Sequence, residues 1–321
     1  MLATLMPDSS RIPAVGIDLG GTTIKAALVT PDYEIIGRGQ VPTDLRSQRV
    51  LLDAIERLVA SVSRGTEVLG VGFGLPSQID QRAGRVLDST NVPLEDVDFV
   101  DEMQRRLATR VMLDNDANVA CLAEARIGAA RGCDHAVMLT LGTGIGGGLW
   151  LDGRLYRGAI GAGAELGHMS IDEDGPRCQG HCPNRGCLEV LASATGVMWQ
   201  ANRLADEHPG SDLAAAREKG GDLDTRTVID LAKAGDEHAV EALRRVGAHL
   251  GVGVANFVNI FDPELVVIGG GVSAAGDLLL QPAREESQRR SLPSSGSVAR
   301  LVIAELGNDA GVLGAAGQLF E

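Results

Sequence analysis

The first residues suited to chemistry form the segment Asp18-Leu-Gly-Gly-Thr-Thr-Ile-Lys25. Its two glycines lack Cβ atoms, so their backbone amides can approach phosphate oxygens closely. The aspartate ends a predicted strand, where its carboxylate is suited to hold Mg²⁺ directly or through water. The threonines add hydroxyl donors, and the lysine either adds a positive charge or points into solvent. The pattern predicts a phosphate-binding hairpin, and a type I′ hairpin without a ligand is the alternative.

Two further glycine clusters follow, Leu141-Gly-Thr-Gly-Ile-Gly-Gly-Gly148 and Val266-Val-Ile-Gly-Gly-Gly-Val272. The first contains the spacing G-x-G-x-x-G, but a dinucleotide-binding fingerprint requires a helix after the glycines. Here an extended apolar pattern continues into Asp152-Gly153, so a second phosphate hairpin is the better interpretation. The other cluster ends a buried strand and precedes a predicted helix, as an adenosine-contacting turn would. The sequence contains no P-loop motif, which disfavours a P-loop kinase.

Polar residues are concentrated where a short predicted strand leads into a helix, in Asp114-Asn115-Asp116-Ala-Asn118. A single Asp or Asn suffices to cap a helix N-terminus. The additional side chains are therefore available to a ligand, with Asn115 donating to sugar hydroxyls and Asp116 accepting a proton from the attacking hydroxyl. A carboxylate beside the nucleophile is the recurrent base in phosphoryl transfer. An N-cap with more polar residues than it needs is the alternative interpretation.

One histidine and three cysteines form the densest group of metal-ligand types in the chain. Such a set satisfies a tetrahedral zinc ion completely and leaves no position for a catalytic water. The sequence therefore predicts a structural zinc that stabilises the loop carrying Glu165 and Glu189. A disulfide with a spare thiol is the alternative. The predicted ligands are His168, Cys178, Cys182 and Cys187.

The order of the predicted elements indicates two related α/β halves. Each half begins with a strand, a glycine turn and a returning strand, and continues with helices and further strands. This repeat predicts a two-domain actin-like or hexokinase-like fold of the ribonuclease H-like class, with the ligand cleft between the domains. The smaller domain is predicted at residues 1–116 plus a C-terminal helix at 309–321, and the larger one at 117–308 with the zinc segment at 168–187. A single helix is expected over 188–205.

Composition and charge limit the partners of the protein. The net charge of −14, from 43 acidic and 29 basic residues, creates a field that repels nucleic acid. The N-terminus lacks the pattern of a secretory signal, and no apolar stretch is long enough to cross a membrane. We therefore expect a cytoplasmic protein without nucleic-acid or membrane partners. At 321 residues with 44% hydrophobic content, the chain can fill two cores without disulfides.

Taken together, the motifs resemble those of the ROK family, and the resemblance covers residues 14 to about 315. It depends on the ordered coincidence of Asp18-x-Gly-Gly-Thr22, Asn115-Asp116, Glu165-x-x-His168, the cysteine segment ending in Gly186-Cys187-Leu-Glu189, and the two later glycine turns. Members of this family are sugar kinases or sugar-responsive repressors. The resemblance implies an ATP-dependent kinase, and a homodimer or homotetramer.

The resemblance also implies a role for each matching residue. Asp116 is the general base, and His168 ligates zinc as well as binding sugar. The sugar is bound by Asn115, Glu165, His168, Glu189 and, by a weaker match, Asn91. ATP and Mg²⁺ lie on the glycine turns, at Asp18, Gly20, Gly21, Thr22, Thr23, Lys25, Thr140, Gly142, Thr143, Gly144, Gly269, Gly270 and Gly271.

Two departures from the family pattern affect these expectations. The first pair of cysteines is two residues further apart than in the usual Cys-x-Cys-Gly-x-x-Gly-Cys, which makes His181 a rival ligand. Ser77 replaces a glycine that is frequent in the family, which affects the sugar contact expected there.

The substrate is expected to be glucose, phosphorylated at its 6-hydroxyl. Fructose, mannose, N-acetylglucosamine and N-acetylmannosamine are alternatives, because a methyl-sized difference in a pocket changes binding by only ~1–3 kcal/mol. Polyphosphate is the alternative donor, although it would favour a basic channel. A ROK repressor would be expected to carry a DNA-binding region before the first strand, where this sequence has only a short segment. A purely sugar-binding protein would be expected to have lost the base, whereas Asp116 is present. We therefore favour an enzyme.

Overall fold

The computed structural model describes residues 12–89, 91–221 and 223–321, which divide into two compact α/β units. The first unit contains the described residues up to Gly132, together with Leu155–Ala164 and Leu306–Glu321. The second contains Cys133–Arg154 and Glu165–Glu305. The domain limits predicted at residues 116/117 and 308/309 stay a prediction, as does the ligand cleft between the domains.

The first unit is built on a mixed five-stranded sheet. Three antiparallel strands form a meander, and two parallel strands extend the sheet beyond the first of them, in the order β3-β2-β1-β4-β7. A small separate hairpin, β5 and β6, was not predicted. The elements are β1 (Ala14–Leu19), β2 (Thr23–Val29), β3 (Ile35–Pro42), α1 (Gln48–Ser63), β4 (Val71–Leu75), β5 (Gln78–Asp80), β6 (Arg85–Asp88), α2 (Phe99–Leu107), β7 (Val111–Asn115) and α3 (Asp116–Ile127).

Helix α1 shows how local signals and the core together fix an element. Ser47 is its N-cap and accepts a hydrogen bond from the Val50 amide, so the helix begins at Gln48. The helix buries an apolar stripe against the sheet, as its period of 3.6 residues requires. The buried residues are Leu51, Leu52, Ile55, Leu58, Val59 and Val62.

The second unit is built on a sheet of the same design. Its strand order is β10-β9-β8-β11-β12, with β8 and β9 antiparallel and β11 parallel to both β8 and β12. The elements are β8 (Ala136–Leu141), β9 (Ile145–Leu151), β10 (Arg154–Leu155), α4 (Leu188–Ala192), α5 (Ala194–Glu207), α6 (Asp212–Gly220), α7 (Thr225–Ala234), α8 (Glu237–Phe261), β11 (Leu265–Gly269), α9 (Asp277–Arg290), α10 (Pro293–Gly296) and β12 (Arg300–Ile303).

The two sheets confirm the predicted duplication. In each, the third, second and first strands of the half lie side by side, and the parallel strands follow on the other side of the first strand. Each glycine hairpin joins the first and second strands of its half. The predicted two-domain α/β architecture is therefore confirmed.

The last helix, α11 (Ala310–Gly317), belongs to the first unit. It packs directly on β1 and β4, where two glycines allow the backbones to approach. A Cβ atom at Gly16 would lie 1.9 Å from the Val312 carbonyl oxygen, and one at Gly72 would lie 1.7 Å from that of Ala315. No side chain fits at either position, so these glycines fix α11 against the sheet.

Two features of the second unit differ from the prediction. The single helix expected over 188–205 is two helices, because Ser193 between them has extended backbone geometry and caps α5. Helix α6 was not predicted, and it starts at a serine N-cap, Ser211. Within the described residues, none of the helices combines the length and the hydropathy that spanning a bilayer requires.

Candidate active site

The first glycine turn joins β1 to β2. It is held by one hydrogen bond within the hairpin and by two from a residue outside it. The Gly20 amide donates to the Thr23 carbonyl across 3.0 Å, which closes the turn. Thr43, just after β3, donates its hydroxyl to the Gly20 carbonyl at 2.6 Å and its amide to the Thr22 carbonyl at 3.0 Å. Thr43 was not among the predicted site residues. It anchors the turn through two backbone carbonyls.

Asp18 lies at the end of β1, directly opposite Lys25 in β2. The Lys25 ammonium nitrogen is 3.7 Å from a carboxylate oxygen of Asp18, so the lysine faces the carboxylate. Burial raises the pKa of the Asp18 carboxyl, and the charge of Lys25 opposes that shift. Helix α11 passes close behind, since a Cβ atom at Gly311 would lie 2.8 Å from an Asp18 carboxylate oxygen. A divalent cation bound beside Asp18 would stabilise the ionised carboxylate together with Lys25.

The predicted base lies at the junction between β7 and α3. Asn115 is the N-cap, and its side-chain oxygen accepts from the Ala117 amide at 2.8 Å and the Asn118 amide at 3.3 Å. Asp116 is the first residue of α3 and is half-buried, with one carboxylate oxygen 2.8 Å from the Ala117 amide. A carboxylate in the first turn of a helix is stabilised by the helix dipole. The catalytic role of Asp116 and the sugar-binding role of Asn115 stay predictions.

A buried ion pair supports this junction from behind. Asp114 is 1% exposed, and one of its oxygens accepts from the Asn115 amide and the Asn118 side-chain nitrogen, each at 2.8 Å. Its other oxygen accepts from Arg157 Nε at 2.6 Å. A buried carboxylate requires such compensation. Arg157 was missed by sequence analysis, because it lies 43 positions further along the chain and no local motif marks it.

Asn91 lies in the same unit, beside the first glycine turn. A Cβ atom at Gly21 would be 3.5 Å from the Asn91 Cβ, which is ordinary contact distance. The Asn91 side chain is exposed. This position makes it available to a ligand at the first turn, and its role in sugar binding stays a prediction.

Ser77, which replaces a glycine frequent in the family, is buried. Its hydroxyl forms a hydrogen bond with the hydroxyl of Ser89.

The second and third glycine turns lie at one edge of the sheet in the second unit. Thr140 near the end of β8 pairs with Gly269 at the end of β11, so the turns at 142–144 and 269–271 are adjacent. Gly270 has a φ of 82°, and a Cβ atom there would lie 2.4 Å from the Leu141 carbonyl oxygen. Only glycine satisfies both requirements. Nucleotide binding at these turns stays a prediction.

Glu189 ties the second turn to the cysteine segment. One of its carboxylate oxygens accepts from the Ile145 amide at 3.0 Å. The other lies 4.0 Å from His168 Nδ1 and 3.7 Å from Cys178 Sγ. Glu189 therefore bridges the turn and the predicted metal ligands with a single side chain.

Glu165 lies on the opposite side of the histidine ring. One of its carboxylate oxygens is 4.0 Å from His168 Nε2. Burial raises the pKa of the Glu165 carboxyl; nearby His168 lowers it, and the Glu189 charge raises it further. The two carboxylates and the imidazole thus form a polar group suited to hydroxyl ligands. Their sugar-binding roles stay predictions.

The histidine and the three cysteines come together as predicted. One donor atom from each of the four lies within 4.8 Å of the others, and among the described residues His181 is not part of the group. His168 Nδ1 is 3.4 Å from Cys178 Sγ, and Cys182 Sγ is 4.0 Å from Cys187 Sγ. Ligands of a tetrahedral zinc with bonds of about 2.0–2.3 Å lie about 3.6–3.8 Å apart. The donor spacing therefore fits a zinc ion.

The acid–base state of the thiols is consistent with a metal site. Burial raises the pKa of Cys178 and of Cys187, so without a cation both hold their protons at neutral pH. Zinc requires thiolates, so uptake of the metal releases these protons. Cys121 and Cys133 lie outside the group.

Comparison with known proteins identifies the family. A sequence profile of the ROK family matches residues 14–320. The chain belongs to the ROK family. Among ROK proteins it is 40% identical to the glucokinase of Thermotoga maritima, over 97% of this chain and 98% of that protein. It is 37% identical to the glucokinase of Halalkalibacterium halodurans, over 94% of this chain and 92% of that protein.

A solved structure of a ROK protein has the same fold as this chain. The ROK family glucokinase from Streptomyces griseus, determined in complex with glucose and AMPPNP, superposes with a TM-score of 0.84 at 33% identity. The match covers 95% of this chain and 98% of that one. The predicted family and hexokinase-like fold class are confirmed.

Gly144 offers a direct test of the contact between the second turn and Glu189. A Cβ atom at position 144 would lie 2.0 Å from a Glu189 carboxylate oxygen, so Gly144→Ala displaces that side chain. We expect kcat/KM for the sugar to fall about 10–100-fold, since Glu189 loses its position. Steady-state kinetics measures this effect. Gly210→Ala is the control, because a Cβ atom there meets nothing within 4 Å. Equal kinetics in the two variants would contradict the assigned position of Glu189.

Proposed function

We propose that this protein is an ATP-dependent hexokinase that converts glucose to glucose 6-phosphate, with release of ADP and a proton. The observation that carries the proposal is the near full-length match, at 40% identity, to a glucokinase. The geometry adds a half-buried carboxylate at the start of α3 and glycine turns in both units. This function agrees with the one predicted from the sequence. Another hexose as substrate is the second candidate.

Asp116 is proposed to accept the proton of the attacking sugar hydroxyl as it bonds to the γ-phosphorus. The sugar hydroxyls bind to the side chains of Asn115, Glu165, His168 and Glu189. Their hydrogen bonds hold the acceptor in one orientation, which removes much of the entropic barrier of a two-substrate reaction. Asn91 is proposed as a further contact.

The glycine turns are proposed to bind the triphosphate through backbone amides, with hydroxyls from the neighbouring threonines. Asp18 would hold Mg²⁺, which neutralises the charge of the transferred phosphoryl group when bound. The charge of Lys25 favours the ionised form of the Asp18 carboxylate, against the effect of burial on its pKa. The turn at 269–271 is proposed to contact the adenosine.

The histidine and cysteine group is proposed to hold a structural zinc ion. Three thiolates and one imidazole complete a tetrahedral shell, so the metal has no open position for catalysis. Its effect is to fix the segment that carries Glu165 at one side and Glu189 at the other. The 3.4 Å and 4.0 Å donor separations support this assignment.

The remaining expectations concern the surroundings of the enzyme. A cytoplasmic location and a homodimeric or homotetrameric state stay predictions. So does the exclusion of nucleic-acid and membrane partners, which rests on the net charge of −14 and on the sequence pattern. The partners supported here are the sugar and ATP.

A substrate panel tests the proposed function. Purified protein is incubated with ATP, Mg²⁺ and each of glucose, fructose, mannose, N-acetylglucosamine and N-acetylmannosamine, and ADP release is measured. We expect the highest kcat/KM with glucose. A higher value with another hexose would correct the substrate, and ADP release with none of them would overturn the kinase assignment. Replacing ATP by polyphosphate in the same assay identifies the donor.

A further inference from the structure

The carbonyl oxygens of the second glycine turn are bonded to the residues that separate α4 from α5. The Thr143 carbonyl accepts from the Ser193 hydroxyl at 2.8 Å and from the Thr195 hydroxyl at 3.0 Å. The Gly142 carbonyl accepts from the Ala194 amide at 2.9 Å. The Gln179 side-chain nitrogen is a third donor to the Thr143 carbonyl, at the longer distance of 3.4 Å. Three consecutive residues thus fix two successive peptide groups of the turn.

Fixing these carbonyls also fixes the amides of the same peptide groups. In a trans peptide the C=O and N–H bonds point in opposite directions. The amides of Thr143 and Gly144 must therefore point away from the start of α5. Within the described part of the chain, neither amide has a hydrogen-bond partner, and Thr143 is exposed. Two successive outward-pointing amides form a site suited to a phosphate group.

Ser193 explains why the helix is interrupted here. Its hydroxyl oxygen accepts from the Thr195 amide at 3.1 Å, which caps α5, and its hydroxyl hydrogen is donated to Thr143. The residue is fully buried, so both bonds are shielded from water. A continuous helix over 188–205 would remove both interactions. The break therefore serves the glycine turn as well as α5.

We infer that Ser193 and Thr195 are positioning residues for the nucleotide, which orient the Thr143 and Gly144 amides toward a phosphate group of ATP. This inference rests on the proposed function. The two hydroxyls act through the Thr143 carbonyl. Without them the Thr143 carbonyl keeps only its 3.4 Å contact with Gln179, so the peptide group between Thr143 and Gly144 can rotate and the bound nucleotide must order it again. We expect loss of the hydroxyls to weaken nucleotide binding and not sugar binding. Glu189, a proposed sugar ligand, keeps its hydrogen bond from the Ile145 amide.

The test compares nucleotide and sugar binding in Ser193→Ala/Thr195→Val. Isothermal titration calorimetry with a non-hydrolysable ATP analogue, and separately with glucose, gives both dissociation constants. We expect the analogue to bind about tenfold more weakly, as for the loss of one to two net hydrogen bonds. The dissociation constant for glucose is expected to change less than about twofold, and KM for ATP to rise more than kcat falls.

Three further variants separate positioning from stability. Ser211 caps α6 by accepting from the Ala214 amide at 3.1 Å and donates to the His208 carbonyl at 2.8 Å, which matches the bonding of Ser193. Ser211→Ala should lower the melting temperature without changing nucleotide affinity. Thr195→Val leaves the cap of α5 in place and is expected to weaken analogue binding by itself. Thr195→Ser keeps the hydroxyl and should bind the analogue as the wild type does.

The outcomes distinguish this inference from the proposed function. If the wild type binds the analogue and the double variant binds it equally well, the inference is overturned and the kinase assignment stands. If Ser211→Ala weakens binding as much as the double variant does, the effect is one of stability and the inference again fails. If the wild type does not bind the analogue, the proposed function fails as well.

Discussion

Asp116→Asn is expected to reduce kcat for hexose phosphorylation by roughly 10²–10⁴, the range contributed by a general base. Asparagine keeps the size of the side chain and the hydrogen bond to the Ala117 amide, but it cannot accept a proton at neutral pH. The dissociation constant of the sugar should stay within about threefold of the wild-type value, because the proposed contacts to sugar hydroxyls come from other side chains. Single-turnover kinetics and calorimetry measure the two quantities.

Asp212→Asn provides the matched control for this variant. Asp212 is the first residue of α6, as Asp116 is of α3, so both changes remove a carboxylate from the first turn of a helix. The control should lose a similar helix-dipole contribution, about 0.3–1 kcal/mol, and keep full turnover. Unchanged turnover in Asp116→Asn would remove this residue from the role of base. An equal loss in both variants would attribute the effect to helix stability.

Cys187→Ser is expected to abolish stoichiometric zinc binding and to destabilise the protein by about 4 kcal/mol or more, a magnitude typical of metal loss. Cys187 is fully buried, and its Sγ lies 4.0 Å from that of Cys182 and 3.3 Å from the His168 carbonyl oxygen. Elemental analysis should find one zinc per wild-type chain and none per variant chain. Sugar affinity should fall too, because Glu165 and Glu189 lose the shared support of the cluster.

Cys133→Ser tests whether this effect belongs to the metal site. Cys133 is a half-buried thiol of the same unit that lies outside the cluster. This control should keep its zinc and its sugar affinity. Wild-type protein that contains no zinc after purification in zinc-supplemented medium, and that melts at the same temperature with and without a chelator, would refute the structural assignment.

The cluster, the second turn and the polar group around His168 are parts of one structure. Glu189 contacts the turn with one oxygen and approaches Cys178 and His168 with the other. Displacement of this side chain, by metal loss or by Gly144→Ala, should therefore affect the sugar in both cases. The hydroxyls of Ser193 and Thr195 act on the same turn from another side, and their loss should affect the nucleotide. Cys187→Ser and the Ser193 and Thr195 variants thus separate the two ligands, whereas Gly144→Ala also changes a residue of the proposed nucleotide site.

Much of the fold could be predicted from sequence because its signals are local. The glycine hairpin at 18–25 follows from two glycines between apolar strands, and its counterpart at 141–148 follows from the same pattern. The histidine and cysteine group was predictable because the ligand types lie within 20 positions of each other. The N-terminus of α3 was predictable because polar residues of the capping type follow a short strand.

Other features could not be predicted because they depend on residues distant in sequence. The apolar period runs unbroken through 188–205, and the break at Ser193 is fixed by its bond to Thr143, 50 positions away. The pairing of Asp114 with Arg157 likewise joins positions that no motif connects. Thr43 anchors the first turn across 23 positions. In each case a polar group meets its partner only once the chain has folded.

The amino-acid sequence by itself determined the chemistry that we propose for this protein, because the residue types of the proposed ligands and base and the presence of the glycine turns are local properties of the chain. Tertiary structure alone decided the strand order within each sheet and the close approach of α11 to β1 and β4. It also decided which amides of the second turn point outward. These depend on backbone hydrogen bonds and close glycine contacts between distant segments, and no short stretch of sequence encodes them.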